Sequence, residues 1–287
     1  MKKRKIKIIK ASGNEAVFEV KKLIASLRKS GASEEIAQRI ASEIERTIYE
    51  GMTTKGIYKK AFAQLKKHSR PTAARYKLKK AIMELGDTGY PFEKFVGALL
   101  SNEGYQTQVG VIVKGRCVNH EIDVIAENDS HHYMCECKFH NKQGRHCNVK
   151  IPLYIQSRFK DVEAAWRKNK GHEHKFHQGW IFTNTRFSTD AERYGICVGL
   201  QLISWGYPKG EGIKDRVDRT GVHPVTCLTT LTMREKKALI EKGKILCMDL
   251  VNEPQLLNKI KISENRHQRI LDEASKLCNN KNEQRKR

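Results

Sequence analysis

Two acidic residues and a lysine lie on a pair of predicted strands near the middle of the chain. The segment VNHEIDVIAE is largely apolar around Asp123, and the run ENDS that follows favours a turn. The segment HHYMCECKF then returns as a second strand carrying Glu136 and Lys138. These segments therefore predict a sheet in which two carboxylates and one ammonium come from neighbouring strands.

Alternation along the second strand predicts which side chains share a face. Successive side chains of a strand point to opposite faces, so Glu136 and Lys138 should lie together. Cys135, Cys137 and Phe139 should lie on the opposite face, towards the interior.

This trio fits the hydrolysis of a phosphodiester. Asp123 and Glu136 supply the oxygen ligands that Mg²⁺ or Mn²⁺ takes, and Lys138 can orient or polarise the attacking water. A simpler alternative is a cross-strand ion pair on an exposed sheet, since Glu and Lys often occur together there.

The surrounding segments favour the first interpretation. The helix GYPFEKFVGALLSNEGYQ precedes the strands, with an apolar side formed by its Phe, Val and Leu residues. A predicted helix from Ile155 to Trp166 and the strand GWIFTNT follow. With Glu136-Cys137-Lys138 and the later segments RFSTDAERYG and LQLISW, the block from about 89 to 205 resembles the Mrr-type restriction endonuclease domain of the PD-(D/E)XK nuclease superfamily.

The resemblance implies a mixed β-sheet flanked by helices, Mg²⁺ dependence and hydrolysis of double-stranded DNA, as in type II or type IV restriction. Asp123 and Glu136 would be the metal ligands, and Lys138 would hold the water. Glu93 would be an accessory acid on the first helix. Gln156 would be a polar catalytic residue on the helix that follows the strands.

The charge of the chain agrees with a polyanionic partner. Lys and Arg number 55 against 32 Asp and Glu, which gives a formal charge of +23 and a pI near 9.7. Such an excess favours DNA through counterion release and electrostatic steering. No apolar run approaches a membrane span, and the basic opening segment lacks the apolar stretch of a signal peptide, so we expect a cytoplasmic protein.

The first ninety residues are predicted to form a separate unit. IKIIKASGNEAVFEV predicts a β-hairpin around Ser12-Gly13-Asn14, and a helix begins near Val20. Ser33 caps a second helix that ends at Gly51 and carries isoleucines at a four-residue spacing. Thr53-Thr54 opens a third helix, and Pro71 precedes a fourth, AARYKLKKAIMELG.

This order resembles the ATP-cone, a nucleotide-sensing domain. The matching motifs are I-I-K-x-x-G, F-x-x-x-K-L, Y-E-G-M-T-T-x-x-I-Y and A-A-R-Y-x-L. The resemblance implies that ATP or dATP binds as a regulatory ligand and that the protein forms homo-oligomers in response. The implied nucleotide-binding residues are Ile8 against the base and Lys10, Lys22, Thr54 and Arg75 around the triphosphate. The alternative is that these cations only solvate a basic helical domain.

The eight cysteines show no compact disulfide framework. Two zinc sites can be drawn from the sequence, one from His172, His174 and His177, and one from Cys135, Cys137, His140, His146 and Cys147. Paired C-x-x-C knuckles are absent, so buried thiols and solvated histidines are the preferred interpretation.

The region after Trp205 carries no motif that indicates a function. Residues 207–231 are predicted as a turn-rich connection, LTMREKKALIEKGKILCMDLV as two helices or a helix and a strand, and residues 264–277 as a last helix. The predicted domains are 1–88 (ATP-cone), 89–206 (nuclease), 207–278 (a small, mostly helical accessory module) and 279–287 (a disordered basic tail).

The sequence thus predicts a mixed α+β and α/β protein that acts as a Mg²⁺-dependent DNA endonuclease of the restriction and defence type, regulated by ATP or dATP. Two alternatives remain open. One is a nucleotide-responsive DNA-binding regulator with a silent nuclease fold, and the other is a junction-selective nuclease of DNA repair. ATP hydrolysis is not predicted, because the chain contains no G-x-x-x-x-G-K-S/T loop.

Overall fold

The computed structural model of the chain describes residues 6–142, 144–172 and 174–279. Near the N-terminus, β1 (Lys7–Ile9) and β2 (Glu15–Val17) form the predicted antiparallel hairpin. A third strand, β3 (Met52–Thr53), pairs parallel to β1 and gives the order β2-β1-β3. This strand is not predicted from sequence, because two residues carry no hydrophobic period.

Helices pack on this small sheet in the predicted order: α1 (Val20–Lys29), α2 (Glu34–Thr47) and α3 (Thr54–His68). The Ser33 hydroxyl caps α2 by accepting a hydrogen bond from the Ile36 N–H at 3.3 Å, and Thr53 caps α3 in the same way. The predicted fourth helix is instead two short helices, α4 (Arg70–Tyr76) and α5 (Leu78–Met83). They meet at Lys77, whose buried ammonium donates to Thr226 O at 2.8 Å.

Residues 90–203 form a five-stranded mixed sheet with helices on both faces. Its elements are α6 (Tyr90–Asn102), β4 (Gln106–Lys114), β5 (Asn119–Glu127), β6 (His131–Lys138), α7 (Lys150–Trp166), β7 (Phe176–Thr183), α8 (Thr189–Cys197) and β8 (Gln201–Ile203). The order is β4-β5-β6-β7-β8, antiparallel from β4 to β6 and parallel from β6 to β8. The prediction of a mixed sheet flanked by helices is confirmed.

The two faces of this sheet pack into two different cores. Cys135 and Cys137 lie in the core that contains the apolar side of α6. Met134 lies in the core formed with α7, together with Ile155 and Phe159. The alternation predicted along β6 is therefore present, and it directs Glu136 towards the α7 side of the sheet.

The C-terminal region consists of short helices: α9 (Ile213–Thr220), α10 (Met233–Glu241), α11 (Cys247–Asn252), α12 (Leu256–Lys259) and α13 (His267–Cys278), with 3₁₀ turns at Val225–Cys227 and Glu264–Arg266. The prediction of a turn-rich connection is wrong for α9, where Ile213 and Val217 lie one turn apart in the core and Gly221 ends the helix with a φ of 73°. Of the predicted tail, residues 280–287 lie outside the described residues.

The C-terminal helices share a core with the rest of the chain. One hydrophobic cluster joins Leu78 and Ile82 of α5, the α6 face of the sheet, and Leu277 of α13. Thr226 Oγ1 also donates to Ala81 O at 2.7 Å. All eight cysteines are free thiols, as predicted, and six of them are buried. Among the described residues, none of the helices combines the length and apolar character that crossing a membrane requires.

Candidate active site

Asp123 lies where β5 and β6 separate. The ladder between these strands ends with Val124 opposite Cys135. Beyond it, Oδ2 of Asp123 accepts a hydrogen bond from the Cys137 N–H at 2.6 Å, so a side chain replaces a backbone acceptor. On the other side, the ladder with β4 skips Asp123 and Gly110, and Gly110 has a φ of 66°. This local distortion fixes the Asp123 carboxylate beside β6.

Glu136 is the most buried acid of the site, with 4% of its surface exposed. Its Oε1 accepts from Lys138 Nζ, and its Oε2 accepts from Arg158 Nη1 at 2.7 Å. The other guanidinium nitrogen of Arg158 donates to Glu121 O. A buried carboxylate with two cationic partners is held in one orientation.

Arg158 was not among the predicted site residues, although the sequence contains a signal for it. It lies on α7, three residues after Ile155 and four before Val162, both of which are fully buried. A cation on the buried stripe of an amphipathic helix requires an acidic or carbonyl partner on the element below. Glu136 and Glu121 supply both kinds of partner.

Like charges and burial raise the pKa of two of the carboxyls. Burial, followed by the charge of Glu136, raises the pKa of Asp123 to about 6. Burial, followed by the charges of Asp123 and Glu121, raises the pKa of Glu93 to about 7. Burial alone would lower the pKa of Lys138, but its hydrogen bond to Glu136 and the charge of Glu136 outweigh burial and raise it. The ammonium therefore stays protonated, and the acids form a site of concentrated negative charge.

An open cavity of about 390 Å³ lies over these groups, lined by Asn119, His120, Glu121, Asp123, Glu136, Tyr154 and Arg158. Gln156 is on α7, and its buried Oε1 has no hydrogen-bond partner. The structure thus brings Asp123, Glu136, Lys138 and Glu93 together. Among the described contacts, none joins Gln156 to the carboxylates.

The turn between β4 and β5 is anchored beside this cavity by Asp161 of α7. Oδ2 of Asp161 lies 2.8 Å from His120 Nε2, and Oδ1 accepts from the Cys117 N–H at 2.8 Å. The His120 contact, together with the backbone donors, holds the pKa of Asp161 below its usual range. Because His120 lines the cavity, this anchor positions one wall of the site.

The five predicted nucleotide-binding residues do not converge on one point. Thr54 and Arg75 line a cleft of about 870 Å³, which also contains Tyr58, Tyr76, Trp205 and several lysines. Lys10 and Lys22 are exposed, and Lys22 pairs with Glu19 at 2.6 Å. Ile8 is 9% exposed and belongs to the hydrophobic core of the N-terminal unit.

Among the described residues, neither ligand set of the two zinc sites drawn from the sequence comes together as drawn. Cys135 and Cys137 pack on the α6 side of the sheet and Cys147 on the α7 side, so the sheet separates them. The interpretation as buried thiols is therefore correct. The expectation of solvated histidines is wrong for His177, which is 5% exposed, because it lies inside the sheet on β7.

Comparisons with known proteins agree with this architecture. Residues 87–204 match the family described as "Restriction endonuclease" (Mrr_cat), and residues 223–278 match "AF1548-like, C-terminal". An uncharacterized protein of Archaeoglobus fulgidus is 39% identical over 180 residues, which are 62% of this chain and 97% of that relative. The chain belongs to the AF1548-like family.

A solved structure supports the same assignment. The crystal structure of AF1548, titled as a protein of unknown function, is 37% identical with a TM-score of 0.53, and the match covers 67% of this chain and 98% of that one. The AF1548-like chain described here therefore contains a restriction endonuclease domain followed by an AF1548-like C-terminal domain. The resemblance of residues 89–205 to Mrr-type nucleases is confirmed.

Proposed function

We propose that this protein is a metal-dependent endonuclease that hydrolyses DNA phosphodiesters. The observation that carries the proposal is the convergence of Asp123, Glu136 and Lys138 at the point where β5 and β6 separate, within the restriction endonuclease domain. This arrangement is organised for chemistry, because a surface ion pair would not bury Glu136 between two cations.

The donor set fits a hard divalent cation. The carboxylates of Asp123 and Glu136 would hold Mg²⁺ or Mn²⁺, since such ions take oxygen ligands and keep several waters. When bound, the ion would supply charge for the scissile phosphate and acidify a water. Burial, followed by repulsion from the neighbouring carboxylates, raises the pKa of Asp123 and of Glu93, and this concentration of acids supports the binding of a cation here.

The protein's own side chains then divide the remaining work. Lys138 orients a water for in-line attack, and its protonated ammonium offsets the charge that develops on the phosphate. Arg158 and the Cys137 N–H hold the Glu136 and Asp123 carboxylates in place. Glu93, whose pKa is near neutrality, is suited to exchange a proton with solvent water at the edge of the site.

The net charge of +23 supports DNA as the substrate, because lysines and arginines contact phosphates irrespective of sequence. Restriction of foreign DNA is the proposed role, by analogy with the matched family. Cleavage of plasmid, phage and branched DNA with Mg²⁺ or Mn²⁺ tests the activity and separates it from junction resolution.

Variants of the three central residues test the site. Asp123→Ala, Glu136→Ala and Lys138→Ala should each reduce cleavage by about 100-fold or more while DNA binding persists. Lys114→Ala, an exposed lysine on β4, is the control and should cleave as the parent does. Parental cleavage by all three variants contradicts the assignment. If the parent itself binds DNA but does not cleave it, the result favours the alternative of a DNA-binding regulator with a silent nuclease fold.

We further propose that the N-terminal unit is an ATP-cone that binds ATP or dATP and changes the association of the chains. The hairpin, the parallel third strand and the helix order support a compact sensing domain. The cleft lined by Thr54 and Arg75 supplies cations and aromatic rings of the kind that a nucleotide contacts. A ligand shifts such an equilibrium only by binding one state more tightly.

Calorimetry with ATP and dATP, combined with sedimentation velocity, tests this proposal. Arg75→Gln, at the cleft, should weaken nucleotide binding, whereas Lys21→Gln, an exposed lysine of α1 that does not line the cleft, should not. Absence of binding heat and unchanged sedimentation at saturating ATP and dATP contradict nucleotide regulation. Neither result bears on the nuclease site, because that site lies on other elements.

A further inference from the structure

Three histidines converge at the end of the sheet that is remote from the carboxylates. His132 is the second residue of β6 and His177 the second residue of β7, and the two are paired in the parallel register. His172 lies in the connection between α7 and β7. One ring nitrogen from each residue can be chosen so that all three lie within 4.8 Å of one another.

Four of the six ring nitrogens of this cluster are buried and have no hydrogen-bond partner among the described residues. His132 is 4% exposed and His177 is 5% exposed. The buried atoms without partners are His132 Nδ1, His172 Nδ1 and both ring nitrogens of His177. Leaving one such polar group buried and unpaired costs about 1–3 kcal/mol, so several at one point require an explanation.

An aromatic ring packs against the cluster. Trp166 packs against the His132 ring with centroids 4.0 Å apart. Neutral imidazole is the form that binds a metal ion, through the lone pair of its unprotonated ring nitrogen.

Glu127 at the end of β5 lies close to one of the rings. Its Oε2 lies 3.9 Å from His132 Nε2 and is held by Lys175 Nζ at 2.9 Å. A carboxylate on one side of an imidazole favours the tautomer that leaves the opposite nitrogen unprotonated. For His132, that nitrogen is Nδ1, the buried atom without a partner.

We propose that His132, His172 and His177 bind one divalent transition-metal ion, with Zn²⁺ preferred, and leave a fourth coordination position for water. Three imidazoles select zinc over Mg²⁺, which takes oxygen ligands. Zinc–nitrogen bonds of about 2.0–2.1 Å in a tetrahedron bring the nitrogens closer together than the 4.8 Å limit seen here, so binding draws the rings inward.

This site is separate from the proposed nuclease centre. His132 and Glu136 are four positions apart on β6, which corresponds to about 13 Å along the strand. A metal here would join the starts of β6 and β7 to the segment that follows α7. Because α7 carries Arg158, the ion would stabilise the helix that holds Glu136 without taking part in hydrolysis.

Metal analysis of the full chain with matched histidine variants tests the proposal. Each protein is stripped of metal, incubated with Zn²⁺ in excess Mg²⁺ and dialysed, all in the Asp123→Ala/Glu136→Ala background, which removes the other predicted ligands. The parent should retain about one zinc per chain. His172→Ala should lose it, and His174→Ala, an exposed neighbour outside the cluster, should retain it.

A second measurement guards against misfolding of a variant. Co²⁺ should give the visible d–d bands of a low-coordinate nitrogen site in the parent and in His174→Ala, and these bands should be absent from His172→Ala at unchanged Trp fluorescence. Zn²⁺ should also raise the melting temperature of the parent and of His174→Ala only. Failure of the parent to retain zinc, or equal retention by His172→Ala and His174→Ala, overturns the proposal.

Discussion

Glu136 shows how a single residue depends on an element distant in sequence. Both of its oxygens are engaged, one by Lys138 two residues away and the other by Arg158 on α7. Arg158 also donates to Glu121 O, so one guanidinium links α7 to both strands of the site. A planar group with two donors can do this, whereas an ammonium presents a single point of charge.

Replacing Arg158 should therefore impair the site without removing any predicted metal ligand. Arg158→Ala leaves a buried carboxylate with one partner, and we expect a 10–100-fold loss of cleavage or of apparent metal affinity. Arg167→Ala is the control, because this arginine follows the last residue of α7 and has an exposed side chain paired with Glu163. The cleavage rate of each variant is measured as a function of Mg²⁺ concentration. If Arg158→Ala shows the rate and the Mg²⁺ dependence of the parent, Arg158 has no positioning role.

The site residues that could be predicted from the sequence are those that lie within one hairpin. Asp123, Glu136 and Lys138 follow from strand alternation and a short turn, and their convergence matches the prediction. The skipped pairing at Gly110 and the contribution of Arg158 depend on how β4 and α7 dock, and no local period contains that information. Likewise, the histidine cluster includes His132, forty residues from His172, in place of the adjacent His174.

At the scale of elements, the β4–β5 turn requires a glycine at position 115, because Asp161 occupies the space that a side chain there would need. A Cβ at Gly115 would overlap Asp161 Oδ2 and lie 2.6 Å from Val118 O. The same carboxylate binds His120 and the backbone of Cys117. The turn can therefore approach α7 only where the side chain is absent.

Gly115→Ala should consequently displace the turn from α7. We expect a loss of about 1–3 kcal/mol in the free energy of unfolding, since an added methyl group forces packed atoms apart. Gly206→Ala, where a Cβ would meet nothing within 4 Å, should change it by less than about 0.5 kcal/mol. Urea denaturation measures the free energy of unfolding of both variants. Equal values for Gly115→Ala and Gly206→Ala would mean that the turn accommodates the added methyl group without strain.

Elements with local signals were predicted most accurately. Ser33 and Thr53 mark the starts of α2 and α3 through their capping side chains. The division between α4 and α5 and the existence of α9 were missed, because both depend on burial in the core that the C-terminal region shares with the rest of the chain. Lys77 illustrates the reason, since its carbonyl partner lies 149 residues further along the chain.

At the scale of the whole molecule, the C-terminal helices join the N-terminal unit to the nuclease sheet. The hydrophobic cluster that contains α6 also contains residues of α4, α5 and α13. Arg75 Nη2 donates to Lys276 O at 2.9 Å across this junction. A change in the N-terminal unit on nucleotide binding would therefore reach the helices beside the nuclease core through packed contacts, which is the physical basis for the proposed regulation.

The same junction contains two buried lysines that share one acceptor. Lys77 Nζ and Lys236 Nζ donate to Thr226 O at 2.8 and 3.1 Å, and Lys77 also pairs with Glu84 at 2.6 Å. Burial, followed by the charge of Lys77, lowers the pKa of Lys236 from 10.5 to about 8. The charged form of Lys236 therefore destabilises the folded chain below pH 8.

Replacing Lys236 tests this coupling through the pH dependence of stability. Between about pH 8 and 10.5, the unfolded chain binds more protons at this position than the folded chain, so the contribution of Lys236 to stability rises with pH by up to about 3 kcal/mol. Lys236→Met should be at least as stable as the parent at pH 7.5. By pH 10, the free energy of unfolding of the parent should have increased relative to that of Lys236→Met. Lys237→Met, an exposed neighbour, should follow the parent at both values. Urea denaturation at pH 7.5 and pH 10 measures the free energy of unfolding of each protein. If the free energies of the parent and of Lys236→Met differ by the same amount at both pH values, Lys236 keeps an ordinary pKa within this junction.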